Sequence, residues 1–264
     1  MKRPTLLEVL KARCPQIETE ELRARILCGE VWADGARLRD PRALVSGPDA
    51  PIALKRKRFV SRGGEKLEAV LEAWGMEVRG LALIDAGCSS GGFTDCLLQR
   101  GARRVLAVDV GSGVLDYRLR RDARVTVLER TNVMALFADR LPEKPDAAVA
   151  DLSFRSLRGA AAHLLSLTGE RWHIALVKPQ FERAAPGTGF RGVVRFRGVV
   201  REAAEVRSIL EALAADLERE GAFLHRARFS ALRGAKGNRE CFFLLRDWPG
   251  LESAAAVLAG LPAQ

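Results

Sequence analysis

From residue 61 onward, short apolar runs alternate with amphipathic stretches. The runs "LALIDAG", "RRVLAVDVG", "ARVTVLE", "DAAVADLSF" and "WHIALVKPQ" are typical of buried strands. The stretches 65–74 and 202–220 have the spacing of amphipathic helices, and "GFTDCLLQRG" is a helix closed by glycine. Strands that alternate with helices predict a doubly wound, mostly parallel α/β sheet. The strands "FLHRARFS" and "CFFLLR" are separated only by a loop, which predicts an antiparallel hairpin at the sheet edge.

The first 58 residues have a different pattern. Residues 5–13 and 18–28 are helix-like, and Asp34-Gly35 lies between two short alternating runs, a strong hairpin signal. We therefore expect a small α+β domain at residues 1–58, with a basic linker at 55–62. A main domain follows at 59–248, and residues 249–264 form a tail that we expect to be helical.

Charge concentrates at the start of the chain. The whole sequence carries 43 Lys and Arg against 33 Asp and Glu, a net charge of +10. Residues 1–62 contain 14 of the basic and 8 of the acidic residues, a net of +6. Such a module fits RNA binding, and it fits a solvated surface with a basic linker equally well.

Other classes of protein find little support in the sequence. The five cysteines are scattered without a CxxC pair, which argues against zinc and a disulfide framework and for a reducing, cytoplasmic setting. No apolar run reaches 18 residues, and charged residues interrupt the apolar stretch near the N-terminus. We therefore expect no membrane segment, no signal peptide and no metal.

The segment "IDAGCSSGGFTD" is a candidate cofactor loop. Gly87, Gly91 and Gly92 permit a tight turn and close backbone approach at the end of a strand. Asp109 ends the next strand, 22 residues after Gly87, where a carboxylate would meet a ribose diol. The spacing G-x-x-x-G-G differs from the dinucleotide fingerprint and fits S-adenosylmethionine (SAM) at least as well. A purely structural turn is the alternative for the glycines alone.

A lysine at the end of an apolar strand is the second candidate for chemistry. In "HIALVKPQFE", Lys178 directly follows four apolar residues and precedes Pro179. Asp151 and Glu240 also lie at strand ends, and Lys66 lies in the first helix of the main domain. Burial and a neighbouring cation lower a lysine's pKa, which lets it act as a general base toward a hydroxyl. Taken alone, each of these residues could instead be an ordinary solvated or capping residue without a role in catalysis.

Five separated motifs resemble one family in the right order. They are "DAGCSSGGFTDCLLQRGA", "AVDVG", "LVKPQFE", "RGVVR" and "SALRGAKGNRE", and the resemblance to the TlyA branch of the FtsJ-like ribose methyltransferases covers about residues 55–245. It implies a Rossmann-like SAM-dependent methyltransferase that acts on the 2′-hydroxyl of ribosomal RNA, on cytidine. The branch was first named hemolysin A.

The resemblance also implies roles for individual residues. The catalytic tetrad is Lys66, Asp151, Lys178 and Glu240. The implied cofactor contacts are Gly87, Cys88, Ser89, Ser90, Gly91, Gly92, Phe93, Asp109, Val110, Asn132 and Asp151. Cys88 and Cys96 are expected to be small packing residues rather than nucleophiles.

Residues 1–58 resemble the family's S-four-like RNA-binding module, although "RPTLLEVL" replaces its usual arginine-leucine-aspartate opening. Expected RNA contacts are Arg23, Arg25, Lys55, Arg56, Lys57, Arg58, Arg62, Arg191 and Arg195. For the segment around Arg191, a plain exposed basic loop is the alternative. The expected partners are ribosomal RNA or ribosomal subunits, and a monomer is favoured.

Other functions stay open at the level of sequence. One is an RNA-binding protein with an inactive methyltransferase domain, and another is a cytolysin, as the older family name suggests. A nucleotide-dependent oxidoreductase is disfavoured by the glycine spacing. Whether Lys178 removes the proton or only orients the hydroxyl is also open.

Overall fold

The computed structural model describes residues 3–33, 35–54, 58–183, 198–234 and 237–262. The first of these form a small unit of two helices and three strands. The helices are α1 (Leu6–Arg13) and α2 (Thr19–Leu27), and the strands are β1 (Val31–Ala33), β2 (Ala36–Leu38) and β3 (Ile52–Leu54). The predicted hairpin is confirmed as β1 and β2, and β3, which was not predicted, pairs antiparallel with the other side of β1.

This unit has an apolar core of its own. Thr5 begins α1 with a capping box, because its side chain accepts from the Glu8 N–H while the Glu8 carboxylate accepts from the Thr5 N–H. The apolar faces of the two helices then meet the small sheet. The buried residues they enclose are Leu6, Val9, Leu10, Leu22, Ile26, Val31, Val45 and Ala50.

The second unit holds the remaining elements. Its helices are α3 (Arg62–Trp74), α4 (Gly92–Gln99), α5 (Tyr117–Arg120), α6 (Ala160–Leu167), α7 (Pro179–Glu182), α8 (Ala203–Arg219) and α9 (Ala254–Ala259). Its strands are β4 (Ala82–Ala86), β5 (Arg104–Val108), β6 (Val125–Leu128), β7 (Ala147–Ala150), β8 (Trp172–Val177), β9 (Phe223–Phe229) and β10 (Cys241–Arg246). Two short 3₁₀ turns, Val133–Ala135 and Ala138–Arg140, connect β6 to β7.

The strands form one seven-stranded sheet in the order β6-β5-β4-β7-β8-β10-β9. The ladders from β6 through β8 are parallel, and β10 is antiparallel to both of its neighbours. The predicted α/β sheet with an antiparallel hairpin of its last two strands is therefore confirmed. The order reverses between β4 and β7, and ligands of open α/β sheets bind at such a switch point, beyond the carboxyl ends of the strands.

Helices cover both faces of this sheet, so its central strands are buried. Every residue of β4, β7 and β8 is buried. One cluster joins Leu67 and Leu71 of α3 and Leu97 of α4 to the sheet, and another joins α8 and α9 to the opposite face. Most polar side chains near the central strands therefore lie at the strand ends and in the loops that follow them. Asp85 and His173 are buried polar residues within these strands.

The segment between the two units differs from a simple linker. Phe59 is 3 % exposed and packs in the cluster of α3, which begins at Arg62, three residues before the predicted start of the helix. Cys28 Sγ lies 2.7 Å from Asp116 Oδ2, and Arg118 Nη1 donates to Glu30 Oε1 at 2.8 Å, so side chains also connect the units.

Candidate active site

The glycine-rich loop turns sharply at the end of β4. Gly87 has a φ of +80°, and a Cβ there would lie 2.7 Å from the carbonyl oxygen of Asp151, at the end of β7. Gly91 has a φ of +90° and would place a Cβ 2.8 Å from Leu115. The glycines therefore permit both the left-handed backbone and its close approach to the neighbouring strand.

A second pair of glycines brings α3 against this loop. A Cβ on Gly92 would lie 2.9 Å from the backbone nitrogen of Gly64 and 3.0 Å from Cα of Gly63. The first turns of α3 and α4 are thus in close backbone contact. This packing carries Lys66, one turn into α3, to the loop's open side.

All four predicted catalytic residues line one cavity of about 260 Å³ at this edge of the sheet. The other residues in its wall come from the glycine-rich loop, the end of β4 and the start of α3. They are Ser61, Arg62, Gly63, Asp85, Gly87, Cys88, Ser89, Ser90, Gly92 and Phe93.

The catalytic candidates form two ion pairs. Lys66 Nζ donates to Glu240 Oε2 at 2.6 Å, and the two side chains are 9 % and 4 % exposed. Lys178 Nζ lies 2.6 Å from Asp151 Oδ1 and donates to Ser153 Oγ at 2.7 Å. Each lysine therefore has its own carboxylate, which offsets the cost of removing the buried Lys66 and the partly buried Lys178 from water.

Sheet register explains why these residues meet. Lys178 directly follows β8, and Pro179 begins α7, where its missing N–H costs nothing. Because Cys241 of β10 pairs with Val177 of β8, Glu240 comes beside Lys178. A Cβ on Gly234 would lie 2.5 Å from Glu240 Oε1, so this glycine leaves room for the carboxylate.

Asp85 is a cavity residue that the sequence analysis did not select. It lies inside β4 and is fully buried, and its Oδ2 accepts from Thr94 N at 2.9 Å and from Thr94 Oγ1 at 2.6 Å. Its Oδ1 has no hydrogen-bond partner among the described residues. Burial raises the pKa of Asp85 to about 7, since the bonds from Thr94 only partly offset the loss of water. A carboxylate within an apolar strand was the available signal.

The site fits a nucleoside cofactor that carries positive charge. Asp85 lines the cavity, and its unpartnered carboxylate oxygen can accept from a cationic group. Asp109 adjoins the loop from the other side, because its carboxylate accepts from the N–H groups of Ser89 at 2.8 Å and Gly111 at 2.7 Å. SAM has both a ribose diol and cationic groups, so these residues suit it.

Four predicted cofactor residues do not line the cavity, namely Gly91, Asp109, Val110 and Asn132. Val110 is 72 % exposed next to Asp109, and Asn132 is exposed, with its side chain accepting from the Met134 N–H at 3.0 Å. The Thr131 N–H donates to the Asp109 carbonyl at 2.9 Å, which keeps this segment beside β5.

Burial keeps the loop cysteines as thiols. Desolvation raises the pKa of the Cys88 thiol far above its ordinary value and that of Cys96 to about 12. A thiol that does not ionise near neutral pH is a poor nucleophile. These environments agree with packing roles.

The predicted RNA contacts are dispersed. Arg23 is exposed with Glu20 at 3.8 Å, whereas Arg25 is ion-paired with Glu21 at 2.5 Å. Arg58 pairs with Glu68, and Arg62 is exposed at the cavity mouth. The remaining predicted contacts, Lys55, Arg56, Lys57, Arg191 and Arg195, lie outside the described residues.

Beside Lys178, the structure shows an aromatic pair that the sequence analysis missed. Phe154 is 61 % exposed and has a φ of +60°, which is unusual for a bulky residue. Its ring packs on Phe181 at a centroid distance of 5.3 Å, and Lys178 Nζ lies 6.0 Å from the Phe181 ring centre. Backbone strain of this kind clusters at functional sites.

Known proteins with similar sequences and folds include named RNA methyltransferases. The chain is 39 % identical to the provisionally named rRNA methyltransferase YqxC of Bacillus subtilis, over 92 % of this chain and 86 % of that one. It is 40 % identical to the "16S/23S rRNA (cytidine-2′-O)-methyltransferase TlyA" of Mycobacterium tuberculosis, over 83 % and 80 % of the two chains. A solved structure of a provisionally named hemolysin from Streptococcus thermophilus is 32 % identical and aligns with a TM-score of 0.68, over 98 % and 95 % of the chains.

A family model described as FtsJ-like methyltransferase matches residues 59–246, which include the whole seven-stranded sheet and the cavity. The chain therefore belongs to the FtsJ-like methyltransferase family, whose members take their methyl group from SAM.

Proposed function

We propose that the protein methylates the 2′-hydroxyl of a cytidine ribose in ribosomal RNA. One observation carries the proposal: two lysines, each paired with a carboxylate at 2.6 Å, line one cavity with the glycine-rich loop. A ribose hydroxyl is a weak nucleophile, so its transfer reaction needs proton handling and alignment more than covalent catalysis. The name of the M. tuberculosis relative supports the same substrate.

Each catalytic side chain has a distinct task in this proposal. Lys178, as the neutral amine, contacts the attacking hydroxyl and receives its proton at Nζ, while Asp151 and Ser153 hold Nζ in place and stabilise the ammonium that forms. Lys66, held by Glu240, lines the same cavity and stabilises the developing alkoxide. The bound cofactor supplies the electrophilic methyl group and its own leaving group.

The proposed cofactor contacts combine the residues predicted from the sequence with Asp85. We assign Gly87 through Phe93 to the backbone cradle, Asp109 to the ribose diol and Val110 and Asn132 to the adenine side. Asp85 is added to the predicted set, as the acceptor for a cationic group of the cofactor.

A basic cleft next to the site supports an RNA substrate. A cavity of about 510 Å³ is lined by the arginines Arg201, Arg233 and Arg239, and no acidic side chain lines it among the described residues. Asn238 joins its walls, accepting from Val200 N at 2.9 Å and donating to Gly198 O at 3.3 Å. Phosphates of the RNA backbone suit such a cleft. The exposed ring of Phe154 is placed to stack on a base.

The small unit at residues 1–58 completes the proposal as an S-four-like RNA-binding module. Its two helices and hairpin agree with that role. The methyltransferase domain would then run from 59 to 248. With such a substrate, we propose that the protein acts on ribosomal subunits in the cytoplasm. We also propose that it acts as a monomer, as expected from the sequence.

Lys178→Ala tests the proposal directly. The wild-type protein, small- and large-subunit rRNA transcripts, unmodified ribosomal subunits and SAM would be incubated, and ribose methylation mapped by mass spectrometry. We expect 2′-O-methylcytidine with the wild type and none with the variant, while calorimetry shows the same affinity for SAM. Turnover by Lys178→Ala equal to the wild type would exclude the proton-handling role.

Two alternatives predict different results. An RNA-binding protein with an inactive domain would release no heat with SAM. The hemolysin name of the S. thermophilus structure favours a cytolysin as a second candidate. Among the described residues, no helix has the length and apolarity to cross a membrane. Release of dye from liposomes at low protein concentration, without methylation, would support the cytolysin instead.

A further inference from the structure

A ladder of side-chain contacts joins the segments that follow β7 and β8. At its first step, Lys178 binds Asp151 and Ser153. At the second, the Phe154 and Phe181 rings pack together. These contacts connect residues 151–154 to residues 178–181 in order along both segments.

Glu182 forms the last step of this ladder. Its carboxylate accepts from Ser156 Oγ at 2.5 Å, from Leu157 N at 2.9 Å and from Arg158 Nη1 at 3.0 Å. Glu182 is 4 % exposed, and Arg158 also binds Asp216 of α8 at 2.6 Å. The network therefore connects both segments to the long helix that covers this face of the sheet.

We propose that Glu182 is a positioning residue that holds Lys178 against Asp151. This inference rests on the proposed function, because it concerns the geometry of the Lys178–Asp151 pair. The single turn of α7 separates Glu182 from Lys178, and the Phe181 N–H donates to the Lys178 carbonyl at 2.8 Å, so a shift of one end moves the other. An error of about 1 Å in a catalytic group can cost a factor of about 100 in rate.

Stability alone does not account for this carboxylate. Burial raises the pKa of Glu182 to about 7 despite its bonds from Ser156 and Leu157, so the loss of water outweighs what those bonds return. A buried ion pair is weak evidence of stabilisation, whereas fixing a unique geometry is an attested use. Here the geometry it fixes includes the catalytic pair.

The test compares Glu182→Ala and Glu182→Gln in the full chain. Production of S-adenosylhomocysteine with ribosomal subunits gives kcat and KM, and calorimetry gives the Kd for SAM. We expect kcat to fall by about 100-fold in the alanine variant, with the Kd for SAM unchanged, because Glu182 does not line the cofactor cavity. Glu182→Gln keeps an acceptor for Leu157 and should recover most of kcat.

Two further variants keep the test decisive. Glu220→Ala is the matched control. Glu220 Oε2 accepts from Gly159 N at 2.7 Å, at the end of the same loop but beyond the ladder. The kcat of Glu220→Ala should therefore equal that of the wild type. If Glu182→Ala does not fold, Ser156→Ala removes one step and should lower kcat with the Kd for SAM unchanged.

Three results would overturn the inference: wild-type kcat in Glu182→Ala, a loss of SAM affinity equal to the loss of kcat, or a glutamine variant no better than alanine. If Glu182→Ala does not fold, a wild-type kcat in Ser156→Ala would overturn the inference. A wild-type protein that methylates no RNA would instead refute the proposed function.

Discussion

The Lys66–Glu240 pair allows catalysis and stability to be separated. The two charges are 2.6 Å apart, and their side chains are 9 % and 4 % exposed. Removing one partner leaves an uncompensated buried charge, which costs about 3–5 kcal/mol. Since the pair borders a cavity, we take the lower end, about 3 kcal/mol, for Glu240→Gln or Lys66→Met. In a domain of this size that lowers Tm by roughly 6–12 °C.

The double variant Lys66→Met/Glu240→Gln should be more stable than either single variant. It buries no charge, and replacing a buried ion pair with uncharged groups is often neutral for stability. We expect it to lose less than about 3 kcal/mol, which requires a coupling energy of more than about 3 kcal/mol between the two sites. It should nevertheless be as inactive as Lys66→Met, because both lack the ammonium of Lys66.

Thermal and urea unfolding measure the stabilities, and formation of S-adenosylhomocysteine with ribosomal subunits measures the activity. Asp122→Asn is the matched control, because Asp122 and Arg124 are also 2.6 Å apart but their side chains are 26 % and 46 % exposed. An exposed pair contributes about 0–1 kcal/mol. If the double variant is as unstable as the sum of the single ones, the two charges do not depend on each other. If it is active, Lys66 has no role in the reaction.

Three further predictions concern the cofactor and the RNA. Between pH 5 and 7 the free protein holds a proton on Asp85, whose pKa is about 7, and a cationic cofactor lowers that pKa, so SAM affinity should rise about tenfold per pH unit up to pH 7. Calorimetry should find this slope in the wild type and not in Asp85→Asn. Arg239→Ala should weaken RNA binding and reduce the slope of log affinity against log salt concentration by about 0.7. Arg246→Ala is the control, because Arg246 stacks on Trp248 at 4.7 Å much as Arg239 stacks on Phe229 at 4.6 Å. Arg246→Ala should change neither the affinity nor the slope. Phe154→Ala should lower kcat/KM for RNA by about 10-fold, equivalent to one lost stacking contact, and an unchanged ratio would exclude stacking.

Much of the site could be predicted because a parallel sheet brings its carboxyl ends together. Gly87, Asp151 and Lys178 each follow a buried strand, so their convergence follows from the α/β pattern alone. Which lysine pairs with which carboxylate could not be predicted. Glu240 meets Lys66 only because β10 inserts antiparallel between β8 and β9, and local periodicity contains no information about that order.

The missed elements were short or locally ambiguous. Strand β3 has only three residues, Ile52–Leu54, and all three are apolar, so the sequence shows no alternation of apolar and polar residues. The first turn of α3 contains Gly63 and Gly64, which are poor helix formers, so its start was placed too late. Close contact of Gly64 with Phe59 and Gly92 explains those glycines, and that contact is a tertiary one.

The two carboxylates to which we assign roles, Asp85 and Glu182, were missed in the sequence for one physical reason. Asp85 lies within β4, and Glu182 closes a four-residue helix, so neither stands at a strand end where the sequence analysis looked for chemistry. A carboxylate in an apolar context is costly unless hydrogen bonds or a ligand offset the loss of water. For Glu182, part of this cost is offset by Ser156, Leu157 and Arg158, which lie in a loop 24–26 residues away in the chain. For Asp85, one oxygen has no partner among the described residues. The sequence can identify such a cost, but only the fold separates a carboxylate that binds another loop from one that faces a cofactor cavity.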